Sequence, residues 1–183
     1  MAIRKKIWVY PDSNPAIGTH FNSGGASAAT SVAVEDYIKV TYTMTNPSSN
    51  QYLYSYIPTS AYTIQSGDFL EYDIFLESNQ PQIGTDVHFA NGSLRDAGVY
   101  DQNGVYVHPS VDLRPYAYGK WYRRRMPITS STGGSTIGQS LSYVNVVCEI
   151  DTAGTYVAYY KNIAITDGNG VGVDDKSSFN LFF

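Results

Sequence analysis

The chain predicts an all-β fold, an antiparallel two-sheet β-sandwich of the jelly-roll type. Its 17 tyrosines recur in short alternating segments such as Tyr52-Leu-Tyr54-Ser-Tyr56 and Tyr156-Val-Ala-Tyr159-Tyr160. A period of two is the strand signature, because successive side chains point to opposite faces. Clusters of Gly, Asn, Asp and Pro separate the segments, drawing on 16 Gly and 8 Pro. The 183 residues suit one domain, since a single sandwich reaches roughly 200 residues. Residues 1–183 are therefore read as one unit, with 1–35 an N-terminal strand plus a flexible or partner-binding arm.

Lys5–Tyr10 is the first expected strand, with Trp8 packed in it. Ser23–Ser31, rich in Gly, Ala and Ser, reads as a loop or flexible arm. Asp36–Thr45 ends at Asn46-Pro47-Ser48-Ser49-Asn50, and Gln51–Ile57 follows. Asp68–Glu77 begins at the Ser66-Gly67 turn. Leu70, Tyr72, Ile74 and Leu76 should face the core, leaving Phe69, Glu71, Asp73, Phe75 and Glu77 on the other side. Gly84–Ala90 and Ser93–Tyr100 flank Asn91-Gly92, and Asn103-Gly104 reads as a type I′ hairpin turn. Lys120–Thr129 carries Trp121, expected in the core. Its Arg123-Arg124-Arg125 run should lie on an ordinary solvated strand, with Arg124 facing opposite to its neighbours. Gln139–Ile150 places Val144, Val146, Cys148 and Ile150 inward and Tyr143, Asn145, Val147 and Glu149 outward. In Thr155–Thr166, Val157, Tyr159, Ile163 and Ile165 share one face and Tyr156, Tyr160 and Asn162 the other. A one-residue bulge would swap those faces. Phe179–Phe183 is the last expected strand, and the chain ends should pair in a sheet or be held by a partner.

Composition narrows the function classes. Charged residues make up 15% and the net charge is -4, which argues against nucleic acid, a ligand that needs a basic footprint. The lone cysteine, Cys148, cannot form a disulfide within the chain and reads as a buried, inert thiol. No apolar run approaches the roughly 20 residues of a membrane span. The basic N-terminus is not followed by an apolar stretch, so no signal peptide is visible. His20, His88 and His108 lack metal-ligand spacing, and no Gly-x-Ser-x-Gly elbow is present.

What remains favours recognition by wet, half-buried tyrosines. The stretch from Ser93 to His108 gathers Arg95, Asp96, Tyr100, Asp101, Tyr106 and His108, suited to directed hydrogen bonds and ring stacking on a rigid scaffold. Asp101-Gln-Asn103-Gly104 fails as an EF-hand loop, because Val105 and Tyr106 occupy positions that need an oxygen ligand and a glycine. A single structural calcium would draw on Asp12, Asp151 or Asp167, beside strand ends; no other cofactor is expected. Glu71 and Asp73 sit two apart on one strand face, their Cα atoms roughly 6.5 Å apart, as two-carboxylate glycoside hydrolysis would allow. The segment Glu71-Tyr-Asp73-Ile-Phe-Leu-Glu77 resembles the acidic strand of laminarinase-like jelly-roll glycosidases. It departs from that pattern at Phe75 and Leu76, which displaces Glu77.

Gly119-Lys-Trp121-Tyr-Arg, with the later run from Asp151 to Asp167-Gly through Tyr159-Tyr160-Lys-Asn162-Ile-Ala-Ile, carries a broader likeness. It resembles the second half of non-catalytic β-sandwich carbohydrate-binding modules of bacterial extracellular polysaccharide-degrading enzymes, over roughly Asp68 to Gly168. The resemblance implies a non-enzymatic jelly roll binding a poly- or oligosaccharide. In such modules a last-strand Asp often helps hold a structural calcium; here that position is Asn162, a weaker ligand. Candidate ligand-binding residues are Glu71, Asp73, Phe75 (or Tyr72), Arg95, Tyr100, Tyr106, Tyr143, Asn145 and Tyr160. The matching location is extracellular. A second reading is a structural or adhesion subunit, such as a phage decoration or fibre protein on a virion surface. Its tyrosines would then contact other protein subunits. A laminarinase-like glycosidase is the third.

Overall fold

A computed structural model describes residues 2–8, 18–22, 30–34, 36–44, 51–77, 83–108, 119–150 and 152–168. Its strands are β1 (Ile3–Trp8), β2 (Gly18–Asn22), β3 (Thr30–Val34), β4 (Tyr37–Met44), β5 (Gln51–Thr63), β6 (Phe69–Leu76) and β7 (Ile83–Asp86). They continue as β8 (His88–Phe89), β9 (Gly92–Ser93), β10 (Trp121–Pro127), β11 (Ser130–Ser131), β12 (Gly134–Ser135), β13 (Ser140–Ile150) and β14 (Gly154–Thr166). One sheet runs β10-β6-β14-β4-β3, with β1 also paired to β14. The other runs β2-β5-β13-β7. All pairings are antiparallel, including the small β8-β9 and β11-β12 ladders. The fold is the expected all-β sandwich.

The core lies between the two sheets. Ile38, Val40, Tyr42 and Met44 of β4 and Leu70, Tyr72, Ile74 and Leu76 of β6 pack with Leu53 and Ile57 of β5 and Val144, Val146 and Cys148 of β13. The strict alternation in β4 and the core face of β6 follow the sequence pattern. Each fully buried Leu or Ile contributes about 1.5–3 kcal/mol. Trp8 is buried as expected, and so is Cys148, whose thiol is pushed up in pKa by burial.

Several local expectations change. β5 continues through Pro58 to Thr63; the ladder shifts between Leu141 and Tyr143, where Tyr143 faces Pro58. A proline has no N–H to give, so it fits such an irregularity. Ser93–Tyr100 is not a strand, because Ala97 N–H bonds the Leu94 carbonyl at 3.1 Å in a turn. Asn103-Gly104 is not type I′, which needs positive φ at both central residues. Gly104 has φ 73, but the only non-glycine with positive φ among the described residues is Asn162. The loop instead spans Gln102–Gly104, closed by the Asp101 N–H to Val105 carbonyl bond of 2.9 Å.

Asn162, at φ 54, marks a bulge in β14. The register moves from Lys161 opposite Asp73 to Ala164 opposite Glu71. Ala158 and Tyr160 therefore point inward before the bulge, and Ile163 and Ile165 after it. Tyr160, expected on an outward face, is in the core, and Tyr159 takes the outer face. The Tyr160 hydroxyl donates to the Gly84 carbonyl at 3.0 Å and lies 3.1 Å from the Tyr42 hydroxyl. Burial raises both hydroxyl pKa values well above the ordinary range, so both stay neutral.

Arg124 does face opposite to Arg123 and Arg125, but it is not solvated; it is 1% exposed. Its Nε donates to Asp101 Oδ2 at 2.7 Å, and its Nη2 to the Tyr106 carbonyl at 3.1 Å. Asp101 Oδ1 in turn accepts from the Asn103 and Val105 amides at 3.0 and 2.9 Å. The ion pair thus fastens the 101–106 hairpin to β10. Of the predicted arm, Thr30 and Ser31 belong to β3. Residues 23–29, Phe179–Phe183, Asp12, Asp151 and the His20 side chain lie outside the described residues. Asp167 Oδ1 accepts from the Ala2 amide at 3.0 Å.

Candidate functional site

β5 places Tyr52, Tyr54 and Tyr56 on its outer face, spanning roughly 13 Å. Antiparallel register sets β13 beside them: Glu149 opposite Tyr52, Val147 opposite Tyr54 and Asn145 opposite Tyr56. On the far side of β13, Asp86 of β7 is opposite Asn145. Tyr56 and Tyr143 pack with ring centroids 5.6 Å apart, and Tyr52 and Tyr54 at 5.7 Å. Tyr52, Tyr56 and Tyr143 are half-buried, while Tyr54 is buried.

Polar groups converge at one side of this face. Arg95 Nη1 donates to the Tyr54 hydroxyl, which donates to Glu149 Oε2 at 3.2 Å. The Arg95 guanidinium lies 4.9 Å from the Tyr54 ring centroid, and its Nε reaches Asp96 Oδ2 at 3.0 Å. Asp86 Oδ1 accepts from the Val87 and Arg95 amides at 2.8 and 2.9 Å. His88 Nε2 sits 3.1 Å from Asp86 Oδ2, and His108 Nε2 sits 3.3 Å from Asp96 Oδ1. The His108 ring stacks on Tyr106 at 5.9 Å, and Tyr106 packs on Tyr100 at 5.2 Å. Burial, with the charges of Glu149 and Asp86, drives the Tyr54 hydroxyl above its ordinary range and keeps it a donor. Both amide atoms of Asn145 are buried and find no hydrogen-bond partner among the described residues.

Asp96 shows how charge is held here. Burial would raise its carboxyl, but the Ser93 hydroxyl and Arg95 outweigh burial and hold it below the ordinary range. Its folded pKa is thus lower than its unfolded value of about 3.9. The associated stability is present above that value and is lost as pH falls through the folded pKa. The wild-type advantage over Asp96→Asn in urea midpoint is expected to be constant above about pH 5 and to shrink in acid. An advantage that grows on acidification would contradict this.

The structure gathers five of the nine candidates, Arg95, Tyr100, Tyr106, Tyr143 and Asn145, around this face and its neighbouring hairpin. The others lie elsewhere. Tyr160 is in the core. Glu71 and Asp73 are on the outer face of the other sheet, but 3% and 1% exposed. Asp73 is held by Arg123 Nε at 2.8 Å, Arg123 Nη2 at 3.2 Å and Asn162 Nδ2 at 2.6 Å. Glu71 accepts from the Thr166 hydroxyl at 2.8 Å. Neither carboxylate is open to a substrate, as a glycosidase pair must be. Phe75 is half-buried on that same sheet, beside Trp121, which is half-buried rather than core. Tyr52, Tyr54, Tyr56, Asp86, His88 and Glu149 join the site although sequence reasoning did not select them. The Tyr52-x-Tyr54-x-Tyr56 alternation was their visible signal; which strand lies across from it needed the register.

No protein-family model matches the chain, and no curated protein matches it. Solved structures do. The chain is similar to the family 11 carbohydrate-binding module of the cellulosomal cellulase Lic26A-Cel5E of Clostridium thermocellum. The TM-score is 0.55 at 13% identity, covering 90% of this chain and 95% of that one. It is also similar to the Clostridium thermocellum family 11 module in complex with a β-1,3-1,4-mixed-linked tetrasaccharide, with TM-score 0.50 at 14% identity, covering 90% and 96%. In fold, then, this chain resembles the β-sandwiches of carbohydrate-binding modules.

Proposed function

We propose that this chain binds a neutral poly- or oligosaccharide without cleaving it, along the outer face of β5 and β13, as an extracellular module. The observation that carries this reading is the row of half-buried tyrosine rings bordered by Arg95, Glu149, Asp86, Asp96 and His88. Flat rings offer an apolar surface to the C–H faces of sugar rings, while the charged groups suit hydroxyls; such a mixture marks preformed ligand sites. The Arg95–Tyr54–Glu149 contacts fix the polar groups before ligand arrives, which reduces the ordering cost of binding. The likeness in fold to carbohydrate-binding modules supports the same ligand class.

Calorimetry with the β-1,3-1,4-mixed-linked tetrasaccharide and a panel of soluble polysaccharides tests the reading. Tyr56→Ala and Tyr143→Ala are each expected to weaken binding about tenfold, with little change in urea midpoint. Folded protein that binds nothing in the panel, or that binds equally well in both variants, would sink the proposal.

A further inference from the structure

A second aromatic group lies on the opposite side of the sandwich, on the outer face of the larger sheet. Strand register puts Trp121 of β10 opposite Phe75 of β6, Phe75 opposite Tyr159 of β14, and Tyr159 opposite Lys39 of β4. Tyr37, two residues before Lys39, shares this face. The four rings close into a box. Tyr37 and Phe75 each meet Tyr159 nearly edge-on, at 5.4 and 5.5 Å, and each meet Trp121 at a tilt, at 5.8 and 5.6 Å. With Glu77 they line a recess of about 370 Å³.

The box is braced. Lys161 Nζ sits 4.4 Å from the Trp121 ring centroid and 3.1 Å from Asp36 Oδ2, so the indole is held from one side. The Tyr159 hydroxyl donates to Glu77; burial and this carboxylate push its pKa up to about 12. The recess therefore presents apolar ring surface with an exposed carboxylate and a neutral phenol at one edge.

Three kinds of occupant suit aromatic recesses, and two fit poorly here. A protein partner in a stable complex covers about 800 Å²; five lining residues do not provide that. The next row of the same face, Arg123, Asp73 and Lys161, is engaged in ion pairs. A quaternary ammonium suits four rings and a carboxylate. However, Lys161 already lies over Trp121, and Lys39 lies 5.9 Å from the Tyr159 centroid, so two cations oppose a third. A neutral sugar is left. It covers ring surface, donates its hydroxyls to the Glu77 carboxylate and the Tyr159 oxygen, and meets no charge penalty. The recess is also near the lower end of ligand-site volumes, about 300 Å³.

We infer that the Tyr37–Phe75–Trp121–Tyr159 recess is a second carbohydrate site, taking one or two pyranose rings on the sheet opposite the tyrosine face. Its ligand class rests on the proposed function; its location does not. Two such sites on opposite faces would let one chain bridge two polysaccharide strands.

The chain contains two tryptophans, and Trp8 is 2% exposed, so Trp121 is the reporter for this recess. The tyrosine face described above contains no tryptophan. The experiment titrates the mixed-linked tetrasaccharide into the Tyr56→Ala/Tyr143→Ala double variant and follows tryptophan emission. A saturable change is expected. Phe75→Ala, which keeps the reporter, is expected to abolish it in the double variant, while in the otherwise wild-type chain calorimetric binding at the tyrosine face persists. Glu77→Ala is expected to weaken the optical titration about tenfold. Calorimetric binding by the wild type with no tryptophan change would overturn the second site and leave the first standing. A change produced by choline chloride and not by sugar would overturn it too. Absence of any binding by either readout would overturn both.

Discussion

Asp101→Ala is expected to lower folding stability by about 3–5 kcal/mol, because it strands a buried guanidinium without its counter-charge. Arg124 is essentially inaccessible to water, and Asp101 Oδ2 is its charged partner at 2.7 Å. It also donates to neutral groups: the Tyr72 hydroxyl at 3.3 Å and the Val105 and Tyr106 carbonyls at 3.4 and 3.1 Å. The same carboxylate closes the loop by accepting from the Asn103 and Val105 amides. Urea unfolding should show the loss as a lower midpoint. The double variant Asp101→Leu/Arg124→Met should recover much of it, since apolar replacement of a buried pair is often neutral or favourable. A single-variant loss below about 1 kcal/mol would mean the pair is solvated like a surface bridge. Because Tyr100 and Tyr106 ride on this hairpin, Asp101→Ala should also weaken the proposed glycan binding.

Gly133→Ala is the second large effect. A Cβ at Gly133 would lie 2.0 Å from the Asn91 carbonyl oxygen and 2.9 Å from its carbon. Both are backbone atoms, so no side chain can rotate away. The two turns are tied together. Ser131 Oγ donates to Asn91 Oδ1 at 2.7 Å, Asn91 Nδ2 donates to the Ser135 carbonyl at 3.0 Å, and the Thr132 amide donates to the Ser93 carbonyl at 3.2 Å. Overpacking of this kind costs about 1–3 kcal/mol, and an immovable neighbour places it at the upper end. Gly98→Ala is the control. Gly98 has φ 71 but open space around its missing Cβ, so only the left-handed backbone is penalised, by about 1–2 kcal/mol. Equal urea midpoints for the two variants would contradict the clash. Gly133→Ala should also loosen the site, because the Ser93 hydroxyl donates to Asp96 Oδ2 at 3.0 Å and Asp96 holds Arg95.

The sandwich was legible in the sequence because strand alternation survives tertiary context where one face is dry. Leu70, Tyr72, Ile74 and Leu76 follow it, and so do Val144, Val146 and Cys148. Alternation says which side of a strand a residue is on, not whether that side is wet. Glu71 and Asp73 face away from the core as read, yet Arg123, Asn162 and Thr166, remote in sequence, cover and bind them. Parity was lost at Asn162, where one inserted residue reverses the faces of β14. The sequence around it shows no glycine or proline to mark a bulge. For the same reason Tyr159 and Tyr160 exchange roles, one becoming part of the recess and the other part of the core. Arg95, Tyr143 and Asn145 were legible as polar or aromatic residues at outward or loop positions. The tyrosines of β5 became site residues only through their register with β13.

The pairing of β1 with the end of β14 has a mechanical consequence. Ile3 is opposite Thr166, and the Ala2 and Asp167 backbones are joined by a 3.1 Å hydrogen bond. The two strands are antiparallel, so these partners lie at the same end of the ladder. Tension applied between residues 2 and 167 pulls perpendicular to the strands and loads one pair at a time, as in opening a zipper. The sandwich is therefore built to peel at β1 under a pull along the chain, while the β5–β13 face, in the other sheet, carries none of the initial load.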